Sequence, residues 1–106
     1  MSGSSDHTWQ EAVGILQQAG LIARLENYGL SVVLQDTSGS STGACGVDND
    51  FSISMSVRVP GSPTCWVFRP TVADMVEFLI RSNSEVQSNP QRTWHEIICR
   101  DAQTAS

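Results

Sequence analysis

The sequence contains no lysine, and all six of its basic residues are arginines. Without a lysine amine, the chain cannot form a Schiff base with a carbonyl substrate or supply the lysine of a phosphate-binding loop. Eleven acidic residues outnumber the arginines and give a net charge of −5. Nucleic-acid affinity depends mainly on the neutralisation of phosphates by basic side chains. We therefore expect no binding to nucleic acid and no polybasic attachment to a membrane surface.

The chain also lacks long apolar segments. No run approaches the roughly 20 apolar residues that span a membrane, and residues 1–8 lack the basic and then apolar regions of an export signal. A length of 106 residues, 40% of them hydrophobic, suits one domain with a single core. We expect a soluble, cytoplasmic protein with a disordered tail over 1–7 and one domain over 8–106.

Cysteine pairs with the spacing of a metal site are absent. The three cysteines, Cys45, Cys65 and Cys99, include no CxxC pair, so the sequence predicts neither a metal site nor a cofactor. Thiols that stay reduced usually behave as small buried hydrophobes, and Cys65 and Cys99 fit that description. Cys45 differs, because Gly43 and Gly46 flank it in a polar stretch and are expected to leave its thiol accessible.

The first helix is predicted from its cap. Thr8 and Glu11 have the spacing of a capping box, in which each side chain satisfies a backbone amide at the start of a helix. Apolar residues at helical spacing continue this helix over 9–19. Gly14 lies in its middle at a cost of roughly 1 kcal/mol relative to alanine, so we expect another backbone to pack closely there.

Two more helices are predicted near the end of the chain. Thr71 and Asp74 approximate the spacing of a second capping box, and an apolar stripe with positions i, i+3, i+4, i+7 and i+8 indicates a helix over 72–82. A polar linker over 82–92 follows, and Thr93 then begins a short third helix. Both helices are amphipathic and are expected to cover one face of a sheet.

Strands are indicated at 21–26, 30–36, 51–59 and 65–68, where apolar residues alternate or β-branched residues cluster. The segment 37–50 is rich in glycine, serine, threonine, aspartate and asparagine, and is predicted to be the longest loop. Short turns between neighbouring strands favour antiparallel hairpins. The sequence therefore predicts an α+β fold with a four-stranded antiparallel sheet, helices packed on one face, and the order α-β-β-β-β-α-α.

The segment 51–59 separates polar from apolar side chains most clearly. The polar residues that alternate with its apolar ones are Ser52, Ser54, Ser56 and Arg58. One face of the sheet should therefore contact the core, and the other should be exposed and flat enough to bind a protein. Trp66 and Phe68 either add a binding hot spot to the exposed face or pack in the core; the sequence leaves both arrangements open.

These features favour a small acidic interaction module without catalytic activity, such as an adaptor, an inhibitor or an immunity-like accessory protein. It would bind a partner protein or a second copy of itself through the serine face or through the loop around Cys45. The alternative is a small enzyme or ligand-binding protein with a pocket between sheet and helices, where Cys45 or His95 acts on a small molecule. A reactive cysteine needs a neighbouring base, and the sequence does not place His95 beside Cys45.

Overall fold

A computed structural model describes residues 7–27, 29–37, 39–47, 53–58 and 63–104. Within these ranges the chain forms three helices and five strands. In chain order they are α1 (Trp9–Gln18), β1 (Ile22–Glu26), β2 (Gly29–Asp36), β3 (Gly39–Val47), β4 (Ile53–Arg58), β5 (Cys65–Arg69), α2 (Val72–Ser88) and α3 (Trp94–Thr104). Apart from His7, the tail predicted over 1–7 lies outside the described residues.

Helix α1 begins with the predicted capping box. The backbone N–H of Thr8 donates to Glu11 Oε1 at 2.9 Å, and the N–H of Glu11 donates to Thr8 Oγ1 at 3.1 Å. The helix ends before Gly20, whose φ of 95° is the left-handed conformation that glycine adopts readily. The close approach expected at Gly14 is wrong, because a Cβ added there would meet nothing within 4 Å.

The sheet has five strands, one more than predicted. They lie in the order β1-β2-β3-β4-β5, and each pairs antiparallel with the next. The additional strand is β3, which occupies most of the segment 37–50 that was expected to be a loop. Its residues 39–46 pair with β2 on one side and its residues 42–47 pair with β4 on the other, so its central backbone groups find partners in the sheet although its side chains are mostly small and polar. The α+β class and the antiparallel sheet are confirmed.

Glycine allows β3 to pass close to its neighbour. A Cβ added at Gly43 would lie 2.7 Å from the backbone oxygen of Ser56 and 2.8 Å from Met55 Sδ. Both distances are shorter than real Cβ contacts, so a residue with a side chain does not fit without a shift of β4. The glycine that suggested a loop in the sequence is therefore a packing requirement of a central strand.

The helices pack on one face of the sheet and form the core with it. The sheet contributes Ala23, Leu30, Val32, Leu34, Cys45, Ile53, Met55, Val57 and Val67, and the helices contribute chiefly Leu16, Met75, Val76, Leu79, Val86, Trp94, Ile97 and Ile98. The alternation predicted for 51–59 is confirmed over its described part, 53–57, in which every second residue is buried. No helix in the described part of the chain is long and apolar enough to cross a membrane.

Helix α2 is longer than predicted. Its cap is the expected one, since the N–H of Asp74 donates to Thr71 Oγ1 at 3.1 Å. The helix continues beyond residue 82 through most of the predicted polar linker, to Ser88. Val86 explains the extension, because it is fully buried one turn after Ser82, which is itself buried. Gln87 adds a hydrogen bond from its Nε2 to the backbone oxygen of Gln35 at 2.9 Å, which also holds this polar segment against the sheet.

Helix α3 is anchored at its first residue. The N–H of Trp94 donates to Asp36 Oδ1 at 2.7 Å, and the Trp94 side chain is fully buried. Thr93 caps the helix by accepting from the Glu96 N–H at 3.1 Å. The start of α3 is therefore fixed against the end of β2, and the rest of the helix packs beside β5.

Candidate functional site

We call the face of the sheet opposite the helices the open face. Apart from the buried Gly29, its described residues are half-buried or exposed, in contrast to the buried residues that alternate with them. They are Ile22, Arg24, Glu26, Ser31, Val33, Gln35, Ala44, Gly46, Ser54, Ser56, Trp66 and Phe68. This serine-bearing face is the binding surface predicted from the sequence.

The strand register places small residues across the middle of the open face. One row, which runs from β2 to β5, consists of Ser31, Ala44, Ser56 and Trp66. The adjacent row consists of Gly29, Gly46, Ser54 and Phe68. The centre of the face is therefore low and flat, and the two aromatic side chains stand along the edge strand β5.

Trp66 and Phe68 belong to the open face, which resolves the alternative that the sequence left open. Trp66 is 47% exposed and Phe68 is 43% exposed, whereas Val67 between them is fully buried in the core. Two neighbouring aromatic rings of this exposure form an accessible apolar patch beside Ser54 and Ser56. An exposed apolar patch of this kind is a common mark of a binding site.

Two of the predicted binding residues, Ser52 and Arg58, cannot both be placed on the open face. Ser52 lies outside the described residues. Arg58 is the last residue of β4 and pairs with Thr42, and the structure describes its backbone only.

Charge is concentrated on the helices. Six of the eleven acidic residues lie there, namely Glu11, Asp74, Glu77, Glu85, Glu96 and Asp101. The described charged side chains of the open face are Arg24 and Glu26, which form an ion pair at 3.1 Å. The described part of the open face is therefore neutral, although the chain as a whole is acidic.

Cys45 lies in the core, and the expectation of an accessible thiol is wrong. Its side chain is 1% exposed, and it points toward the helices from the central strand β3. Burial raises the pKa of the Cys45 thiol to about 12. Because the thiolate is the nucleophilic form, this cysteine does not support the alternative of an enzyme that uses it. Cys45 is also on the wrong side of the sheet to take part in docking at the open face.

A groove on the helix side gives the ligand-binding alternative little more support. It has a volume of about 570 Å³ and is lined by His7 and by the α2 residues Ala73, Val76, Glu77, Ile80 and Arg81. Neither Cys45 nor His95 lines it, so the residues that the sequence proposed as reacting groups are not brought to this groove.

Cys65 and Cys99 form a disulfide bond, which corrects the expectation that they remain separate thiols. Cys65 begins the edge strand β5 and Cys99 lies in α3, and their Cα atoms are 5.3 Å apart, within the usual range for a disulfide. The bond closes a loop of 34 residues. The fold therefore joins two cysteines that are distant in the sequence, because β5 and α3 pack side by side.

His95 completes a compact group with this disulfide. Its Nε2 atom lies 3.7 Å from Cys65 Sγ and 3.7 Å from Cys99 Sγ, and its Nδ1 atom lies 3.8 Å from Cys99 Sγ. The potential metal-ligating atoms of the three half-buried residues all lie within 4.8 Å of one another. His95 Nε2 is also 2.9 Å from the backbone oxygen of Pro63. We call Cys65, His95 and Cys99 the cysteine–histidine cluster.

No family model, no curated protein and no solved structure matches this chain. Its function is therefore inferred from the open face and the cysteine–histidine cluster.

The cluster is not predicted from the sequence because its cysteines lack the close spacing of a metal-site motif. One signal was present: His95 and Cys99 are four residues apart, which places them on the same side of a helix. The third member, Cys65, comes from a strand 30 residues before His95. Only the packing of β5 against α3 brings it to the other two.

Proposed function

We propose that this chain is a small protein-interaction module without catalytic activity, of the kind that acts as an adaptor, an inhibitor or an immunity-like accessory protein. It docks through the open face of its sheet. The observation that supports this most directly is the exposed pair Trp66 and Phe68 beside a surface of serine, alanine and glycine. Aromatic side chains bury a large area at a low entropic cost, which is why they dominate interface hot spots.

The distribution of charge favours a second copy of the chain as the occupant of the open face. Two copies with a net charge of −5 repel each other, most strongly where their acidic helices meet. The open face offers only the paired charges of Arg24 and Glu26 in its described part. The described parts of two open faces can therefore meet without unpaired like charges between them, and Arg58, which alternates with Ser54 and Ser56 in the sequence, adds at most one positive charge per copy. In such a symmetric contact, Trp66 of each copy packs on the small residues of the other.

The area of the open face predicts a transient dimer. Five strands about 4.8 Å apart, each contributing about five residues at about 3.4 Å per residue, cover roughly 400 Å². Stable interfaces bury about 800 Å² on each partner. We therefore expect a weak and reversible dimer rather than a permanent one.

A cytoplasmic location stays part of the proposal, and it has a consequence for the disulfide. In reducing compartments disulfides are rare, and those that occur are usually reversible. In the cytoplasm, Cys65 and Cys99 would therefore interconvert between the thiol and disulfide forms.

Sedimentation velocity over a range of protein concentrations tests the docking surface. The wild-type chain should show a reversible shift from monomer to dimer. Trp66→Ser removes the largest exposed ring, and Ser54→Glu places a charge at the centre of the face. Each variant should weaken dimerisation by roughly tenfold or more, because central aromatic contacts dominate such interfaces and a buried unpaired charge opposes them.

Leu25→Ser is the matched control. Leu25 is 49% exposed, much like Trp66, but it alternates with the open-face residues of β1 and lies on the other side of the sheet. This variant should dimerise like the wild type. If the wild-type chain stays monomeric at about millimolar concentration, the dimer proposal is wrong. A different protein is then the partner that binds the open face. Equal weakening by Trp66→Ser and Leu25→Ser overturns the open face as the contact.

A further inference from the structure

We propose that Cys65, His95 and Cys99 form a zinc site that becomes available when the disulfide between the two cysteines is reduced. This site is separate from the open face and goes beyond the proposed docking function. Two thiolates and one imidazole are ligands that zinc favours, and three protein ligands leave a fourth tetrahedral position for water or another small ligand.

The distances within the cluster fit a tetrahedral ion. Zinc binds thiolate sulfur at about 2.3 Å and imidazole nitrogen at about 2.0 Å, which places neighbouring ligand atoms roughly 3.5–3.8 Å apart. His95 Nδ1 is 3.8 Å from Cys99 Sγ, and one His95 ring nitrogen and the two sulfur atoms lie within 4.8 Å of one another. Nε2 is the nitrogen close to both sulfur atoms, at 3.7 Å from each, so binding through Nδ1 also needs a rotation of the ring toward Cys65. The main adjustment needed is separation of the two sulfur atoms, which follows once their bond is broken.

The hydrogen bond of His95 prepares one nitrogen for a metal. The backbone oxygen of Pro63 can only accept a hydrogen bond, so Nε2 at 2.9 Å must carry the proton and donate it. Nδ1 is then the nitrogen with the free lone pair, and it lies 3.8 Å from Cys99 Sγ. Metal-binding histidines typically donate their second N–H to a carbonyl or carboxylate, which fixes the ring and its tautomer. Pro63 is therefore a positioning residue for the site.

The fold keeps the ligands together without the disulfide. His95 and Cys99 are one turn apart on α3 and stay on the same side of that helix. Arg69 at the end of β5 binds Asp101 on α3 through two hydrogen bonds, at 2.9 and 3.0 Å. This ion pair holds the strand that carries Cys65 against the helix when the sulfur–sulfur bond is absent.

The disulfide and the zinc site exclude each other. A dithiol reductant gives two electrons and two protons to the disulfide, whose bond breaks to leave two thiols while the reductant itself becomes a disulfide. Zn²⁺ then displaces the two thiol protons and forms two zinc–sulfur bonds and one zinc–nitrogen bond. In the reverse direction, a low-molecular-weight disulfide accepts two electrons from the two thiolates and becomes two thiols with two protons from water, while the bond between Cys65 and Cys99 forms again and Zn²⁺ is released. The redox state of Cys65 and Cys99 therefore controls zinc binding.

Isothermal titration of the full chain with zinc chloride tests the proposal. The disulfide is reduced with a water-soluble phosphine, which takes up the oxygen of one water molecule as it supplies two electrons. The reduced chain should bind one zinc ion, and the oxidised chain should bind none. Cobalt(II) added to the reduced chain should show the visible bands of a tetrahedral site and a thiolate-to-cobalt charge-transfer band.

His95→Gln is the decisive variant, because it keeps the disulfide and its folding can be verified in the oxidised form. Its zinc affinity after reduction should be lower by roughly tenfold or more. Cys45→Ala and His7→Gln are the matched controls. They remove the remaining cysteine and the other histidine, and they should bind zinc like the wild type.

Three results would overturn the site. They are no zinc binding by the reduced wild type, equal affinity of His95→Gln and wild type, and loss of binding in Cys45→Ala with the fold retained. Circular dichroism separates folding from binding. If reduction unfolds the chain, zinc should restore the folded spectrum, and a chain that stays unfolded with zinc counts against the proposal.

Discussion

Arg69 and Asp101 form a two-pronged ion pair between the last residue of β5 and helix α3, with N–O distances of 2.9 and 3.0 Å. The Arg69 guanidinium also donates to the Phe68 backbone oxygen at 2.8 Å and lies 4.7 Å from the centre of the Phe78 ring. About a quarter of each charged side chain is exposed. The edge strand is thus fixed to the helix by an ion pair in addition to the disulfide.

Asp101→Asn should lower the free energy of unfolding by about 1–2 kcal/mol. The amide replaces one charged acceptor oxygen with a donor that opposes the guanidinium, and partial exposure limits the cost. Glu77→Gln provides the comparison, since the Arg81–Glu77 pair at 3.3 Å is about three-quarters exposed on both sides. It should cost less than about 0.5 kcal/mol. Urea denaturation of the oxidised chains measures both values, and equal losses would contradict the role given to the Arg69–Asp101 pair.

Removal of the disulfide should be more costly. A loop of 34 residues corresponds to about 3–4 kcal/mol of lost stabilisation in the chain-entropy description. Cys65→Ser combined with Cys99→Ser should show this loss in urea denaturation with a chelator present, which keeps zinc out of the comparison. Reduction of the wild type under the same conditions should give a similar loss, and it should leave the double variant unchanged. If the free energy of unfolding of the double variant is within about 1 kcal/mol of that of the oxidised wild type, the bond adds little to stability.

Most of the fold could be predicted from local patterns. The capping box at Thr8, the cap at Thr71 and the alternation over 53–57 are local signals, and the structure confirms each of them. Strand β3 was missed because its sequence resembles that of a loop. What makes it a strand is a neighbour on each side, and Gly43 is there because β4 passes too close for a side chain.

The candidate sites depended even more on tertiary structure. Alternation indicated an open face, but the side on which Trp66 lies depends on the register between β4 and β5, which the turn sequence did not specify. Cys45 was misplaced with the rest of β3. The cysteine–histidine cluster combines a strand residue with two helix residues. Short sequence motifs do not predict a site of this kind.

Two glycines should respond in opposite ways to the same substitution. Gly14 lies in α1, and an added Cβ would meet nothing within 4 Å, so Gly14→Ala should stabilise the chain by about 0.5–1 kcal/mol through its higher helix propensity. Gly43→Ala should destabilise it by about 2 kcal/mol or more, because the Cβ would overlap the Ser56 backbone and Met55. Thermal denaturation by circular dichroism compares the two. A stabilising Gly43→Ala would mean that β3 is not held close to β4.

Cys45 should be almost inert toward alkylation in the folded protein. It is the one free cysteine among the described residues of the oxidised chain, and burial raises its pKa to about 12. Iodoacetamide reacts with the thiolate, so labelling should be far slower than labelling of an exposed thiol and should become fast in denaturant. Mass spectrometry follows the reaction, and rapid labelling of the folded chain would contradict the placement of Cys45 in the core.

The same burial predicts a specific dependence of stability on alkaline pH. The pKa of Cys45 is about 12 in the folded chain, compared with an ordinary value of 9.0. Above pH 9 the unfolded chain therefore releases this proton first, and the free energy of unfolding falls by about 1.4 kcal/mol for each further pH unit until the folded chain also ionises. Cys45→Ala has no thiol proton at this position. The difference in free energy of unfolding between wild type and variant should therefore be constant below pH 9. Above pH 9 the wild type should lose stability relative to the variant. If the free energies of unfolding of the two chains change in parallel through pH 9, Cys45 ionises equally in the folded and the unfolded chain. That result would contradict the burial of its thiol.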